Sequence, residues 1–214
     1  MKTFFRVLPL LCFGTVMSAQ STSLNPTLLQ TGIKAAYQGS LLYPGFKLGI
    51  EHPYKVIEVD KTKKWGTKTI LKERYLTANL GYYHHETFHD NLYLLFERQK
   101  RRQHLNGWFT EHASGIGYSR TFLGGTTYAV SDQGEVSKKE LAGYNYALVS
   151  IALGAGYNFA MKEQQPLKIY GKASMLGFFP HNSSIYLRPT IEIGVVYAPQ
   201  NFWKANPKLK IKQK

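Results

Sequence analysis

Apolar and polar residues alternate along three segments in the C-terminal third of the chain. Nearly every second residue there is apolar, and many of the residues between, such as Ser150, Gly154, Lys168, Lys172, Arg188 and Glu192, are small, polar or charged. The apolar positions are Ala147, Val149, Ile151, Leu153, Ala155, Tyr157 and Phe159, then Leu167, Ile169, Ala173, Met175 and Phe179, then Ile185, Leu187, Ile191, Ile193, Val195 and Tyr197. A period of two is that of a β-strand, whose successive side chains point to opposite faces. The pattern therefore predicts three strands, each with one apolar face.

The same alternation extends over most of the chain and predicts eight strands. They cover about 31–43, 45–58, 68–84, 91–100, 108–122, 145–160, 167–179 and 184–198. An even number of short amphipathic strands is typical of a closed antiparallel up-and-down barrel in a membrane. The sequence therefore predicts an all-β fold, a transmembrane β-barrel of about eight strands. The connection 59–67 is long for a tight turn, so ten strands stay open as an alternative.

The polar face of the predicted strands carries charged residues mixed with glycines. The charged positions are Lys34, Lys47, Glu51, Lys168, Lys172, Arg188 and Glu192. An eight-stranded barrel is just wide enough to be filled by side chains, and charges buried inside it must pair. We therefore expect an ion-pair network in the lumen and lipid against the apolar face. A soluble, secreted, lipocalin-like ligand-binding barrel with its apolar face inward is the alternative.

The first residues have the features of a cleavable signal peptide. Lys2 and Arg6 precede an apolar run over 7–16, and Ala19 provides a small residue for cleavage. Cys12, the chain's only cysteine, lies in this peptide, which excludes disulfides and cysteine metal sites from the mature chain. The predicted organisation is a signal peptide over 1–19, a periplasmic segment over 20–30, the barrel over 31–198 and a basic periplasmic tail over 199–214.

Basic residues outnumber acidic residues. Removing Lys2 and Arg6 from the 27 Lys and Arg leaves 25 against 13 Asp and Glu, a net charge of +12. The basic residues are spread over predicted turns, such as 99–104, and over the tail, without a nucleic-acid-binding motif. This distribution favours lipopolysaccharide and other outer-membrane lipid over nucleic acid as the partner. No pattern indicates a cofactor.

The longest predicted connection lies at one end of the barrel. If both chain ends are periplasmic, the connections near 43–45, 85–90, 123–144 and 180–183 face the outside of the cell. Within 123–144, a turn at 131–134 separates two short extended segments, which predicts a small hairpin. This loop or the tail 199–214 is the expected contact for a protein partner.

With these features the chain resembles the small outer-membrane barrel proteins, a group that includes the OmpA transmembrane domain, OmpX and the lipid A deacylases. The resemblance covers about residues 31–198 and rests on the signal peptide, the strand number, the alternation and Gly-Tyr pairs such as Gly81-Tyr82. The junction after Ala19 is similar to signal cleavage sites of Bacteroidota. The resemblance implies an outer-membrane location and a structural, adhesive or partner-binding role.

The deacylases supply one enzymatic hypothesis. His112 and Ser114 are two positions apart on a predicted strand and so share its apolar face. The deacylases carry a His-x-Ser pair on the outside of such a barrel, where the histidine is the base for the serine nucleophile. Here Gly115 follows the serine where family members have asparagine, and no acid matches the family's orienting carboxylate. Lipid ester hydrolysis is therefore the alternative to a non-catalytic role.

A second candidate site lies between the third and fourth predicted strands. His85, Glu86, His89 and Asp90 carry imidazole and carboxylate groups of the kind that bind metal ions. A chelate requires a turn that folds these side chains together. An exposed polar loop is the simpler interpretation, and the main prediction contains no metal.

Overall fold

The computed structural model describes residues 30–40, 43–63, 66–86, 88–181, 184–199 and 202–213, without the side chains of 43, 63, 66, 67 and 213. The predicted signal peptide and the segment 20–29 lie outside these residues. Within the described ranges, no helix is long and apolar enough to cross a membrane.

Eleven strands and one turn of 3-10 helix, Phe159–Met161, make up the described chain. The strands are β1 (Gly32–Ser40), β2 (Tyr43–Lys63), β3 (Gly66–His85), β4 (His89–His104), β5 (Trp108–Leu123), β6 (Thr127–Val130), β7 (Val136–Lys139), β8 (Gly143–Asn158), β9 (Leu167–His181), β10 (Ser184–Tyr197) and β11 (Lys208–Gln213).

Eight of these strands close into a ring. Its order is β1, β2, β3, β4, β5, β8, β9 and β10, and β10 pairs back onto β1. All neighbouring strands in the ring are antiparallel. The all-β class and the eight strands predicted from the sequence are confirmed, and the ring does not have the ten strands of the alternative. We call the end of the ring with the 86–88 and 124–142 connections the loop end, and the opposite end the turn end.

The paired strands are staggered along their length. A row of paired residues followed once around the ring passes through Ile33, Ile50, Ala78, Phe96, Ile116, Val149, Gly177 and Leu187. Because Ile33 itself pairs with Tyr197 on β10, the row ends ten residues away from where it began. A stagger of this kind requires the strands to be tilted against the axis of the ring.

Over most of the ring, apolar side chains point outward and charged side chains point inward. On β10, Ile191 and Ile193 each expose 66% of their surface, whereas Glu192 between them is fully buried. On β4, Phe96 is exposed and its neighbour Glu97 is buried. A soluble domain places its large apolar side chains in the opposite direction, toward a core.

The interior near the loop end is apolar rather than charged. A cluster of buried residues fills it: Tyr83, Tyr93, Leu95, Leu148, Leu176 and Phe178. The Tyr93 ring lies directly over Gly81, where a Cβ atom would overlap the ring. These inward apolar residues explain why the fourth predicted strand alternates weakly in the sequence, although its side chains alternate between inside and outside like the others.

At the turn end, β2 and β3 continue beyond the ring. Past a bulge between Pro53 and Lys55, β2 pairs with β3 on one edge and with β11, in parallel, on the other. The segment 59–67, predicted as a connection, is therefore strand up to residue 63 and again from 66, and 64–65 lie outside the described residues. The tail predicted over 199–214 contains a strand that the sequence analysis missed.

Of two further predicted connections, one is confirmed and one is wrong. The hairpin predicted within 123–144 is present as β6 and β7, which form their own two-stranded sheet. The basic turn predicted at 99–104 is wrong, because β4 continues to His104. Gln99, Arg101 and Gln103 extend the inward set of β4 and are buried, so the alternation does not stop at position 100.

Candidate functional site

Eleven charged side chains are buried in the part of the chain that the structure describes. The cations are Lys34, Lys47, Arg101, Lys168, Lys172 and Arg188, and the anions are Glu51, Glu73, Glu97, Glu111 and Glu192. Six positive and five negative charges are close to balance. Buried ions need such balance, because removing a charge from water without a partner is costly.

Glu51 on β2 lies at the centre of the first group. Its carboxylate accepts two hydrogen bonds from Arg101 on β4, at 3.0 Å from Nη2 and 3.3 Å from Nη1. The Lys168 ammonium on β9 lies 2.6 Å from the same carboxylate. Because β2, β4 and β9 are not neighbours in the ring, these contacts tie distant strands together across the interior.

Arg101 also extends the network to β5, the neighbour of β4, where Glu111 is its paired residue. Its Nη2 lies 2.9 Å from the Glu111 carboxylate on β5, which also contacts Lys172 at 3.2 Å. The guanidinium also lies over two rings, with its Cζ 4.7 Å from the Tyr75 centroid and 4.4 Å from that of Phe109. Arg101 therefore combines contacts to carboxylates with contacts to aromatic rings, which suits a delocalised planar cation.

Glu192 on β10 organises a second group. Lys34 on β1 lies 3.1 Å from one carboxylate oxygen, and Lys47 on β2 contacts the other. The Tyr170 hydroxyl donates a hydrogen bond to Glu192, and the Lys34 ammonium lies 4.8 Å from the Tyr170 ring centroid. This group bridges β10 and β1, the strands whose pairing closes the ring.

The structure brings six of the seven charged residues predicted for the lumen into these ion pairs: Lys34, Lys47, Glu51, Lys168, Lys172 and Glu192. Arg188 lies apart from them, near the loop end, with its guanidinium 3.4 Å from the Tyr83 ring centroid. Glu73, Glu97, Arg101 and Glu111 also belong to the buried charges and were not predicted from the sequence. Arg101 could have been predicted, because a period of two continued along β4 from Glu97 places Arg101 on the same inward face.

Aromatic side chains line a cleft of about 350 Å³ at the loop end, above Arg188. His181 stacks between Tyr146, at 5.7 Å between ring centroids, and Tyr186, at 5.1 Å. Phe178 closes the cleft toward the interior and meets Tyr146 edge-on. The described interior therefore has an aromatic and apolar layer near the loop end and the ion-pair network beyond it.

The two candidate catalytic residues lie on the outside of the ring. His112 and Ser114 both point outward from β5 and are exposed, on the shared face that the sequence predicted. Among the described residues, no hydrogen bond joins them to each other or to a carboxylate. The adjacent Glu111 points inward and is held by Arg101. A serine nucleophile needs a base that is itself oriented, and this arrangement provides neither contact.

The four candidate metal ligands do not converge. Asp90 accepts hydrogen bonds from the Tyr82 hydroxyl, at 2.7 Å, and contacts His84 Nδ1 at 2.6 Å. His85 and His89 stack on each other with their centroids 5.3 Å apart. The described chain brings no three His, Cys, Asp or Glu side chains into a metal-binding group. The chelate considered for His85, Glu86, His89 and Asp90 is therefore not formed in this structure.

The same contacts perturb two pKa values at this exposed tip. Hydrogen bonds from His84 and Tyr82 lower the pKa of Asp90. Burial, and then the neighbouring His85, lowers the pKa of His89.

Comparison with models of known protein families, with curated proteins and with solved structures gives no match to this chain. The function is therefore argued from the geometry alone.

Proposed function

We propose that this chain is an integral outer-membrane β-barrel protein with a filled lumen and a structural, adhesive or partner-binding role. The observation that carries the proposal is a closed ring with an apolar outer surface and an ion-paired interior. Soluble monomers rarely expose apolar patches larger than a few hundred Å². Lipid solvates such a surface, and a closed ring leaves no unpaired strand edge within the bilayer.

Aromatic residues at the two rims support a position across a bilayer. At the turn end, Trp108 and Tyr157 pack edge-to-face on the outer surface, with centroids 5.5 Å apart. Toward the loop end, Phe46 and Tyr82 pack at 5.4 Å. Aromatic rings of this kind accumulate at both membrane–water interfaces of barrel proteins.

The filled interior argues against a diffusion pore. An eight-stranded ring has little free width, and here ion pairs and aromatic rings occupy it. The soluble lipocalin-like alternative requires an apolar interior and a polar exterior, which is the reverse of this burial pattern. The lipid hydrolase alternative lacks the contacts that would activate Ser114.

The proposal places the loop end outside the cell and the turn end in the periplasm, after export by the signal peptide. The hairpin of β6 and β7 then extends from the cell surface. Tyr128, Val130 and Val136 are exposed on it, which suits contact with a protein partner. Lipopolysaccharide would surround the loop end of the barrel.

Expression of the full-length chain in a Gram-negative host tests the proposal. We expect recovery in the outer-membrane fraction and a heat-dependent change of gel mobility, because a closed barrel resists detergent until it is boiled. Soluble recovery without a mobility shift would contradict it. The mass spectrum of lipid A should be the same in cells that express the wild type and in cells that express Ser114→Ala. Loss of an acyl chain that depends on Ser114 would support lipid ester hydrolysis instead.

Deletion of 127–139 tests the surface role separately. Because β6 and β7 form their own sheet, the shortened protein should keep its heat-dependent mobility. If the variant keeps an intact barrel but no longer binds a partner or adheres to a surface, the role belongs to the hairpin. Loss of the mobility shift would show that the hairpin is instead part of the folded ring.

A further inference from the structure

The outward face of the ring changes from apolar to cationic along β3 and β4. On β4 the outward residues from the loop end are Leu92, Leu94 and Phe96, followed by Arg98, Lys100 and Arg102. On β3 the same change separates Leu76 from Arg74 and Lys72. We call Lys72, Arg74, Arg98, Lys100 and Arg102 the basic patch.

The basic patch is confined to one side of the ring. On β8, β9 and β10 the outward residues stay apolar as far as the turn end, where they include Tyr157, Ile169 and Tyr197. The patch is therefore not a uniform belt of charge at the membrane surface. It is a local feature of the surface formed by β3 and β4, next to β5.

The cations of the patch lie directly opposite one another. Arg74 pairs in register with Lys100, and Lys72 with Arg102. Like charges at paired positions of an antiparallel sheet repel each other. Lys55 on β2 adds to this crowding, because it pairs in register with both Arg74 and Lys208. Its pKa is lowered, first by desolvation and then by Lys210 and Arg74.

No carboxylate neutralises the patch within the described structure. The ion pairs of the described residues include none of its five members. The nearest acids, Glu73 and Glu111, belong to the inward face and contact Arg101. The one side-chain hydrogen bond recorded for the patch runs from Arg98 Nε to the Tyr54 hydroxyl, at 2.9 Å.

A cleft of about 610 Å³ lies within the patch. Lys72, Arg74, Lys100 and Arg102 contribute to its walls, together with Thr110 and His112 on β5. Glu73, Arg101 and Glu111 also line it, and there the two carboxylates are paired with Arg101. Such a cleft offers cationic and hydroxyl donors to an anion, and guanidinium groups suit the oxygen geometry of phosphate in particular.

We propose that the basic patch binds the phosphodiester headgroups of anionic phospholipids in the leaflet at the turn end of the barrel. This inference rests on the proposed membrane location. An acyl chain lying against Leu76, Leu94 and Phe96 brings its headgroup to the level of Arg98 and Lys100, because the apolar and cationic residues are continuous along the same strands. The patch lies at the opposite end of the barrel from the loops, so phospholipid rather than lipopolysaccharide is the partner.

Native mass spectrometry of the full chain in detergent mixed with phosphatidylglycerol and phosphatidylcholine tests this inference. The test variant replaces three patch residues, Arg98→Gln, Lys100→Gln and Arg102→Gln. The control removes the same charge elsewhere, with Lys138→Gln, Lys139→Gln and Lys162→Gln, all exposed outside the patch. Each basic residue near an anionic lipid surface strengthens binding by about fivefold, so loss of three should weaken phosphatidylglycerol binding by roughly a hundredfold.

The control variant should retain phosphatidylglycerol like the wild type, and added salt should weaken binding. Equal losses in both variants would overturn the inference, since net charge would then explain the retention. Preferential retention of lipid A, or displacement of the lipid by inorganic phosphate, would overturn the assigned ligand. Heat-dependent gel mobility is measured on every sample. If the wild type shows the mobility shift but no preference for phosphatidylglycerol, only lipid binding by the basic patch is rejected. If the wild type shows no mobility shift, the proposed membrane barrel is rejected as well.

Discussion

Glu51 and Arg101 join β2 to β4 across the interior through two nearly parallel hydrogen bonds, at 3.0 and 3.3 Å. Neither residue has appreciable exposure, and β3 separates their strands in the ring. A bidentate pair of this kind fixes both the distance and the orientation of the two walls.

Removing one partner of this pair should strongly destabilise the ring. Arg101→Met leaves Glu51 and Glu111 short of a cation, and breaking a buried ion pair costs about 3–5 kcal/mol. Urea unfolding in detergent micelles measures the loss, and Arg102→Met, an exposed neighbour on the outward face, is the control. The double variant Glu51→Gln with Arg101→Met should lose less than the sum of the two single variants. Additive losses would mean that the two residues do not interact.

An arginine on the outer face should prevent insertion only where lipid contacts the ring. Ile191 on β10 and Val136 on β7 are both β-branched, and they expose 66% and 67% of their surface. Ile191→Arg should cost about 2–4 kcal/mol near the middle of a bilayer. Val136→Arg, on the hairpin, should change stability by less than about 0.5 kcal/mol. Folding yield into vesicles measures both, and similar yields would contradict a lipid-facing Ile191.

Two glycines provide a matched test of the packed interior. A Cβ at Gly81 would overlap the Tyr93 ring, whereas a Cβ at Gly171, on the outer face of β9, meets nothing within 4 Å. Gly81→Ala should destabilise the ring by about 1–3 kcal/mol through overpacking. Gly171→Ala should leave the unfolding midpoint unchanged or raise it slightly. A tolerated Gly81→Ala would show that the interior around Tyr93 is loosely filled.

His89 should titrate below the ordinary histidine value. Its pKa is lowered from 6.5, first by burial and then by His85. Since the pKa of the folded state lies below that of the unfolded chain, the contribution of neutral His89 to stability is fully present above about pH 6.5 and is lost as the pH falls through the lowered value. NMR titration of the imidazole protons in micelles measures this pKa. His85→Ala should raise it only in part, because burial is the larger cause, and titration of wild-type His89 at or above 6.5 would contradict the contact geometry.

Alternation predicted most of the ring from the sequence, because each strand has one apolar and one polar face. It also placed Lys34, Glu51, Lys172 and Glu192 on the polar face, which the structure turns inward. The pattern weakened where the interior is apolar, as at Tyr93 and Leu95, since both faces of the strand are then alike.

Which charged residues meet inside the ring could not be read from the sequence. Glu51 and Arg101 are separated by 50 positions, and their contact depends on the stagger that carries a row of paired residues ten positions along the strands. Single-strand periodicity contains no information about that stagger. The strand β11, by contrast, does have a pattern in the sequence, because Leu209 and Ile211 alternate with lysines. The segment is short and strongly basic, so it was interpreted as a charged tail.

The long strand β2 is shared on one side by two partners from opposite ends of the chain. β1 pairs with it as far as Glu51, and β11 takes over from Lys55 to Asp60. The residues just before β1 contact those just before β11: the Thr31 amide donates to the Trp203 carbonyl at 3.3 Å, and Gln30 forms a bridge with Lys204. β11 therefore covers the edge of β2 that β1 leaves free, and β11 itself, with Lys208, Lys210 and Lys212, is the outer strand of this part of the sheet. Lysines on an edge strand disfavour edge-to-edge pairing, so loss of β11 would expose the edge of β2 to a second copy of the chain.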